Sequence, residues 1–265
     1  MRGKAWLVLA GWCCAVGCSS IQRVKVTPTE SVVLTGGEIQ SVRTKALALL
    51  VEQPRTLVRM TQVAQMFEQV ARSAPEDYEA RWQAAAAWTF VAENETNSPV
   101  RINAAKRGIT LARQARELQP DRVEGHYFYA IAVGLLADAD RTYGLKAVGE
   151  MEPALRRAIE LDERYDYGGP VRVLGILLLR TPPPPVSIGS SRKGLRWMQH
   201  AVELFPDYPE NLLYLAEGLH NNGKDGEACL LLRRVMTAPP WPDRQFEGAG
   251  WKITAKKLFQ CPPPM

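Results

Sequence analysis

Five stretches of this 265-residue chain end in the same way: a helical apolar stripe carries a small or branched residue, and five positions later comes proline or its substitute. The pairs are Val70/Pro75, Ala115/Pro120, Ala158/Glu163, Ala201/Pro206 and Val235/Pro240, with successive second members 45, 43, 43 and 34 residues apart. The text around three of them repeats too, as Ala115-Arg-Glu-Leu-Gln-Pro-Asp121, Ala158-Ile-Glu-Leu-Asp-Glu-Arg164 and Ala201-Val-Glu-Leu-Phe-Pro-Asp207. Amphipathic periodicity alone would fit any all-α protein. Self-similarity at a nearly regular spacing demands more: a stack of like units, each burying against its neighbour a face it cannot bury alone.

The last unit is the most regular. Leu212, Leu215, Ala216 and Leu219 form one helical stripe, Gly223 ends that helix, and Ala228, Leu231, Leu232 and Val235 form the stripe of a second. Spacings of three and four put each set on one face, Gly223 supplies a left-handed turn, and small Ala228 lets the helices approach. This 34-residue unit resembles a tetratricopeptide repeat (TPR). Earlier units are lengthened by their connections, Asn94 to Asn103 in one and Thr181 to Gly189, with four consecutive prolines, in another. First helices are marked by Trp82 to Trp88, Tyr127 to Leu136, Val171 to Leu179 and Leu212 to Leu219. Pro75 before Glu76 and Asp77, and Pro209 before Glu210, are favourable starts, because proline is tolerated in a first turn and carboxylates favour its positive end. The expected fold is all-α: a TPR-like solenoid of about five helix pairs over residues 38–260, with a Pro-rich tail at 261–265.

The amino terminus reads differently. Arg2 and Lys4 precede a thirteen-residue apolar stretch, Ala5 to Gly17, too short for the roughly 20 residues that span a bilayer. Residues 1–17 therefore read as a signal peptide. The stretch Ala15-Val-Gly-Cys18 resembles the lipobox of bacterial lipoproteins, with Ala15 where leucine is usual; the alternative is an ordinary cleaved signal with the cysteines as passengers. The resemblance implies that Cys18 is acylated and anchors the mature chain to a membrane, and that Ser19 directs it to the periplasmic face of the outer membrane. Acyl chains contribute roughly 0.8 kcal/mol per buried CH₂, enough for stable anchorage when several are present. Residues 18–37 read as a tether reaching up to about 60 Å when extended, or with Ser31 to Leu34 laid on the domain as a strand.

Composition excludes more than it assigns. The formal charge of +5 falls to about +3 once Arg2 and Lys4 are removed, acidic and basic residues are mixed, and no basic run supports nucleic-acid binding. Past the signal and Cys18, only Cys229 and Cys261 remain; in an oxidising periplasm these two could pair, but one sits in an apolar helical run and the other in the Pro-rich tail, so two separate thiols is the expectation and the pairing stays open. His126, His200 and His220 show no metal-ligand spacing, and neither a phosphate-binding glycine loop nor a nucleophile elbow is present. Asp138 and Asp140, two apart, do not face one another on a helix and read as a solvated end or an interhelical ion pair. Glu247-Gly-Ala-Gly250 reads as a break before a last helix. The expectation is a protein without enzymatic activity, resident cofactor or metal.

A more specific resemblance rests on Asp166-Tyr-Gly-Gly-Pro170, Arg172-Val-Leu-Gly-Ile-Leu-Leu-Leu179, the proline loop ending at Ile188-Gly189, and Ala201-Val-Glu-Leu-Phe-Pro-Asp-Tyr208. These resemble the TatT-like proteins, periplasmic TPR lipoproteins described as T-components of tripartite ATP-independent periplasmic (TRAP) transporters. One glycine at Ile188-Gly189-Ser190, where the family carries a pair, and Glu163 in place of proline depart from it. The resemblance implies a helical body with a central opening or groove, self-association among its properties, and work alongside a periplasmic solute-binding protein on a small organic ligand. From the residues themselves, Trp82, Trp88, Tyr127, Tyr129, Tyr143 and Arg172 are candidates for an inner lining. The competing reading makes the aromatics core and gives Arg172 a buried carboxylate. Two functions remain: a TRAP-type transport accessory, or a scaffold gripping a segment of another envelope-assembly or secretion protein.

Overall fold

The computed structural model describes residues 33–53, 55–239, 241, 244, 247–258 and 261. Cys18, the signal peptide, tether residues 19–32 and the last four residues of the Pro-rich tail lie outside them. Among the described residues the chain forms α1 (Gly36–Val51), α2 (Leu57–Ser73), α3 (Tyr78–Asn94), α4 (Ser98–Leu118), α5 (Val123–Ala139), a 3₁₀ turn (Arg141–Tyr143), α6 (Gly144–Asp162), α7 (Tyr165–Arg180), α8 (Ser191–Leu204), α9 (Pro209–Asn221), α10 (Asp225–Thr237) and α11 (Glu247–Leu258). The first helix starts inside the stretch read as tether, and Glu38 accepts a hydrogen bond from the Thr35 N–H at 2.8 Å. Contacts group the described chain into two compact units, 33–147 and 148–261. Repeat arrays favour such divisions, because each element packs mainly on its sequence neighbours. In the first unit α1 packs on α2, α2 on α3, α3 on α4, and α5 on both α3 and α4; in the second α7 packs on α8, α8 on α9, α9 on α10, and α11 on both α9 and α10.

The five signature positions are all core. Val70, Ala115, Ala158 and Ala201 are entirely buried and Val235 nearly so. Where proline follows, one turn recurs. Ala74, Gln119 and Phe205 have φ/ψ of −126/86, −136/82 and −140/80, although their side chains share nothing. The common cause is the next residue, since a proline ring clashes with an α conformation in its predecessor. Each of the three still donates its N–H back to the signature residue, at 2.8, 3.0 and 3.1 Å, so the helix end is satisfied as the chain leaves it. The next helix begins four residues later, after Asp77, Arg122 or Tyr208, and Asp77 caps α3 by accepting from the Ala80 N–H at 3.0 Å.

Glu163 interrupts this pattern. With no proline to turn the chain, Arg164 keeps an α-like conformation, and the reversal is made by three consecutive left-handed residues, Asp166, Tyr167 and Gly168, at φ 48°, 56° and 78°. Helix proper resumes at Gly169 and Pro170. Gly223 gives the left-handed C-terminus expected of it: φ is 75°, the Lys224 N–H reaches the Leu219 carbonyl at 3.0 Å and its own N–H reaches that of His220 at 2.9 Å. Between α7 and α8 the close approach is set by Gly175 and Gly194; a Cβ at the latter would stand 2.6 Å from Leu179 Cγ.

Cys229 and Cys261 are joined in a disulfide, which corrects the expectation of two separate thiols. Cys229 is buried on α10, and α11 packs back on α9 and α10, bringing the following segment to within a Cα–Cα distance of 5.6 Å. The fold of α11, not the proline content of the tail, decides the pairing.

Candidate functional site

The first unit carries most of the aromatic candidates. Trp82, Ala86 and Phe90 recur every four residues on α3 and are all partly exposed, as are Phe128 and Ile131 on the adjoining α5. The Trp82 and Phe128 rings lie nearly parallel, with centroids 6.0 Å apart and 6° between their planes. The Trp82 indole N–H donates to Glu79 at 2.6 Å, so the polar edge is occupied while the ring surface stays partly open. This stack presents a partly exposed aromatic surface on α3 and α5.

Trp88, Tyr127 and Tyr129 are buried and belong to the core. Trp88 donates to Glu68 of α2 at 2.9 Å and lies under the Arg107 guanidinium. Tyr127 packs its ring against Phe128, and Tyr129 lies under Arg116 at 4.1 Å. Tyr143, in the 3₁₀ turn, is partly exposed with the Lys146 ammonium 5.0 Å from its ring centre. Behind the Trp82 stack, the Tyr78 hydroxyl donates to Glu124 at 2.9 Å and Arg122 donates to the same carboxylate at 2.7 Å. Burial by itself would raise the Glu124 pKa; hydrogen bonds from Arg122, its own backbone and Tyr78, with the Arg122 charge, reverse that and hold it below its ordinary value. The Tyr78 phenol is pushed up, chiefly by burial and then by its bond to Glu124. The network thus keeps a carboxylate charged and a phenol neutral, which is a positioning arrangement.

Arg172 lies in the other unit. It is buried on α7 and donates to Asn211 Oδ1 at 2.9 Å, with Glu210 and Asp166 carboxylate oxygens at 3.2 and 3.4 Å. Asn211 in turn donates to the carbonyls of Tyr167 and Ala201 at 3.1 and 3.0 Å. Arg244 also binds Asp166. Tyr167 stacks on Tyr208 at 4.6 Å, with Phe205 and Trp241 edge-on to it. The Tyr208 phenol is pushed far up, by burial first and by Glu210 next. Asp166-Tyr-Gly168 is therefore held in its left-handed turn from several sides, and the arginine that sequence marks as seeking an anion has found two partly exposed carboxylates and a buried amide.

Comparison with known structures fits this geometry. A thermophilic TPR protein, TTC0263 of Thermus thermophilus, superposes with a TM-score of 0.59 at 18% identity, over 81% of this chain and 99% of its own. MamA (41-end) from Desulfovibrio magneticus RS-1 superposes with a TM-score of 0.52 at 16% identity, over 77% and 96% respectively. The chain has a TPR-like fold. A family model described as RMD1-3, regulator of microtubule dynamics protein 1-3, matches residues 50–167, from the end of α1 into the left-handed turn. No curated protein matches the sequence.

In TPR-like terms α3 and α5 are first helices, and the Trp82–Phe128 stack lies on them. Phe128 escaped the sequence reading because it sits between two tyrosines whose rings go to the core; alternation along Tyr127-Phe-Tyr129 was the only signal available. Asn211, within an apolar stripe, and Glu124, next to a helix start, could have been flagged as polar groups on buried faces. Asp138 makes an interhelical ion pair with Arg101 at 2.7 Å, and Asp140 caps the 3₁₀ turn through Thr142. His126 contacts the Pro120 carbonyl, His200 Glu163 and His220 Asp225, each within 2.9 Å. Among the described residues no group of three or more His, Cys, Asp or Glu is placed to hold a metal ion, and no helix is long and apolar enough to cross a membrane.

Proposed function

We propose that the protein is an interaction module of the bacterial cell envelope, anchored through acylated Cys18, which grips a segment of another protein on its first-helix face. The observation that carries this reading is the partly exposed Trp82–Phe128 stack, prolonged by Phe90 and Ile131, on α3 and α5 of a TPR-like array. Rigid aromatic pairs on a formed surface are effective anchors, because little side-chain entropy remains to be lost on binding. Export is supported by the Cys229–Cys261 bridge, since disulfides persist in oxidising compartments.

The finer reading is a T-component-like accessory of TRAP-type solute transport, with a periplasmic solute-binding protein as the partner and a small organic ligand handled between them. Its support is the resemblance carried by Asp166 to Pro170 and Arg172 to Leu179. Crosslinking in cells, followed by detergent extraction and purification of the tagged full-length chain, tests both levels. Recovery of a solute-binding protein, lost in Trp82→Ala and Phe128→Ala, is the expected result. Recovery of outer-membrane assembly or secretion components would overturn the transport reading and leave the scaffold; recovery of partners indifferent to both substitutions would overturn the face itself. For the anchor, acyl labelling is expected for the wild type and lost in Cys18→Ala, and a Cys18→Ala protein still labelled and membrane-bound would refute it.

A further inference from the structure

In the first unit, a cleft of about 450 Å³ opens between α2 and α4, with Arg81 of α3 among its lining residues. Its charge is one-sided: Arg72, Arg81, Lys106 and Arg107 line it against a single carboxylate, Glu68. That carboxylate is already heavily used, accepting from Arg72 at 2.8 Å, Arg107 at 2.7 Å and the Trp88 indole at 2.9 Å. Arg81 is different from the other three cations. It is 9% exposed, its Nε has no hydrogen-bond partner among the described residues, and its Nη1 reaches only the Ala74 and Asp77 carbonyls, both at 3.4 Å. Of the nearby acids, Asp77 caps α3 and is ion-paired to Arg43, while Glu76 stands exposed at the helix start.

A guanidinium stays protonated at any physiological pH, and a buried N–H without an acceptor is costly, the more so on a charged group. Such a cost is ordinarily offset by a partner. The cleft volume lies in the range of small-molecule sites, roughly 300–1,000 Å³, and Gln114 adds a neutral polar group to the wall. We propose that this cleft binds a small molecule through an oxyanion group, carboxylate or phosphate, with Arg81 as the buried donor and Arg72, Lys106 and Arg107 surrounding it. The site is on the α2/α4 side and does not depend on the Trp82–Phe128 face or on TRAP transport.

Calorimetric titration of the full-length protein in detergent, at constant ionic strength set with chloride, tests the assignment with two separate probes, inorganic phosphate and succinate. Saturable binding of one or both is expected, and the stronger of the two identifies the source of the oxyanion. Arg81→Met is expected to weaken it at least tenfold. Lys106→Gln, an exposed change that leaves the fold intact, is expected to weaken it about threefold, and Arg192→Gln, at an exposed position outside the cleft, not at all. Circular dichroism verifies that Arg81→Met is folded; should it not be, Lys106→Gln against Arg192→Gln decides. Heat indistinguishable from chloride for both probes, or binding unmoved by Arg81→Met and Lys106→Gln, would overturn the proposal.

Discussion

Three turns of this molecule are made by proline and one is not, and the contrast separates local from long-range control of the chain. At Pro75, Pro120 and Pro206 the preceding residue adopts nearly the same φ/ψ whatever its side chain, because the restriction is covalent and acts on the neighbouring residue. At Glu163 nothing local stops the helix, and the chain is reversed by Asp166, Tyr167 and Gly168 in left-handed conformations. Each non-glycine residue there sacrifices roughly 1–2 kcal/mol of backbone preference. Arg172, Asn211, Tyr208 and Arg244 offset it, from positions 5 to 78 residues away. The proline turns would survive in many surroundings; the left-handed turn exists only where this particular cluster surrounds it.

The sharpest way to break that contrast is Asn211→Ala. It strips hydrogen bonds from Arg172 and from the Tyr167 and Ala201 carbonyls in a buried site, and a loss of about 3 kcal/mol is expected from urea denaturation. A loss below about 1 kcal/mol would mean the turn is stable without its cluster. Gly168→Ala comes next. Its φ of 78° disfavours a side chain although its nearest new contact, Phe205, would be at 3.6 Å, so about 1–2 kcal/mol should be lost through backbone alone. Pro120→Ala should cost only about 0.5–1 kcal/mol, chiefly because the unfolded chain gains freedom, and the crystal structure of the variant should keep the turn.

The last test is a slope rather than a midpoint. Glu124, which joins the starts of α3 and α5 just after two proline turns, is held below its ordinary pKa of 4.5 in the folded chain. Its contribution is therefore complete above that value and is lost as the pH falls through the lower folded value. Thermal melts between pH 6 and pH 2.5 should show an acid loss that is smaller in Glu124→Gln, and equal slopes would remove Glu124 from the network.

What could be read from sequence follows the same division. The signature pairs located the ends of α2, α4, α6, α8 and α10, and Gly223 located its left-handed cap, because proline, glycine and apolar spacing act over a few residues. The disulfide could not be read, since it depends on how α11 packs over α9 and α10. Among the candidate lining residues, sequence picked out large aromatics but could not tell which face each would take: Trp82 and Trp88, six apart on α3, end respectively on the surface and in the core. Arg81 drew no notice, because an arginine near a helix start next to Glu76 and Asp77 reads as an ordinary surface charge until its burial is known.

The packing of α11 bears on assembly. It sits on both α9 and α10, as α5 sits on α3 and α4. A pair of repeat helices offers this seat to any helix of matching face, including one supplied by another copy of the molecule, and open filaments arise when such offers are accepted in series. Here the seat is filled by α11, and the covalent link between Cys229 and Cys261 holds the next stretch of chain against the same pair. A competing helix would have to displace a neighbour that is tethered to the same chain and cannot diffuse away.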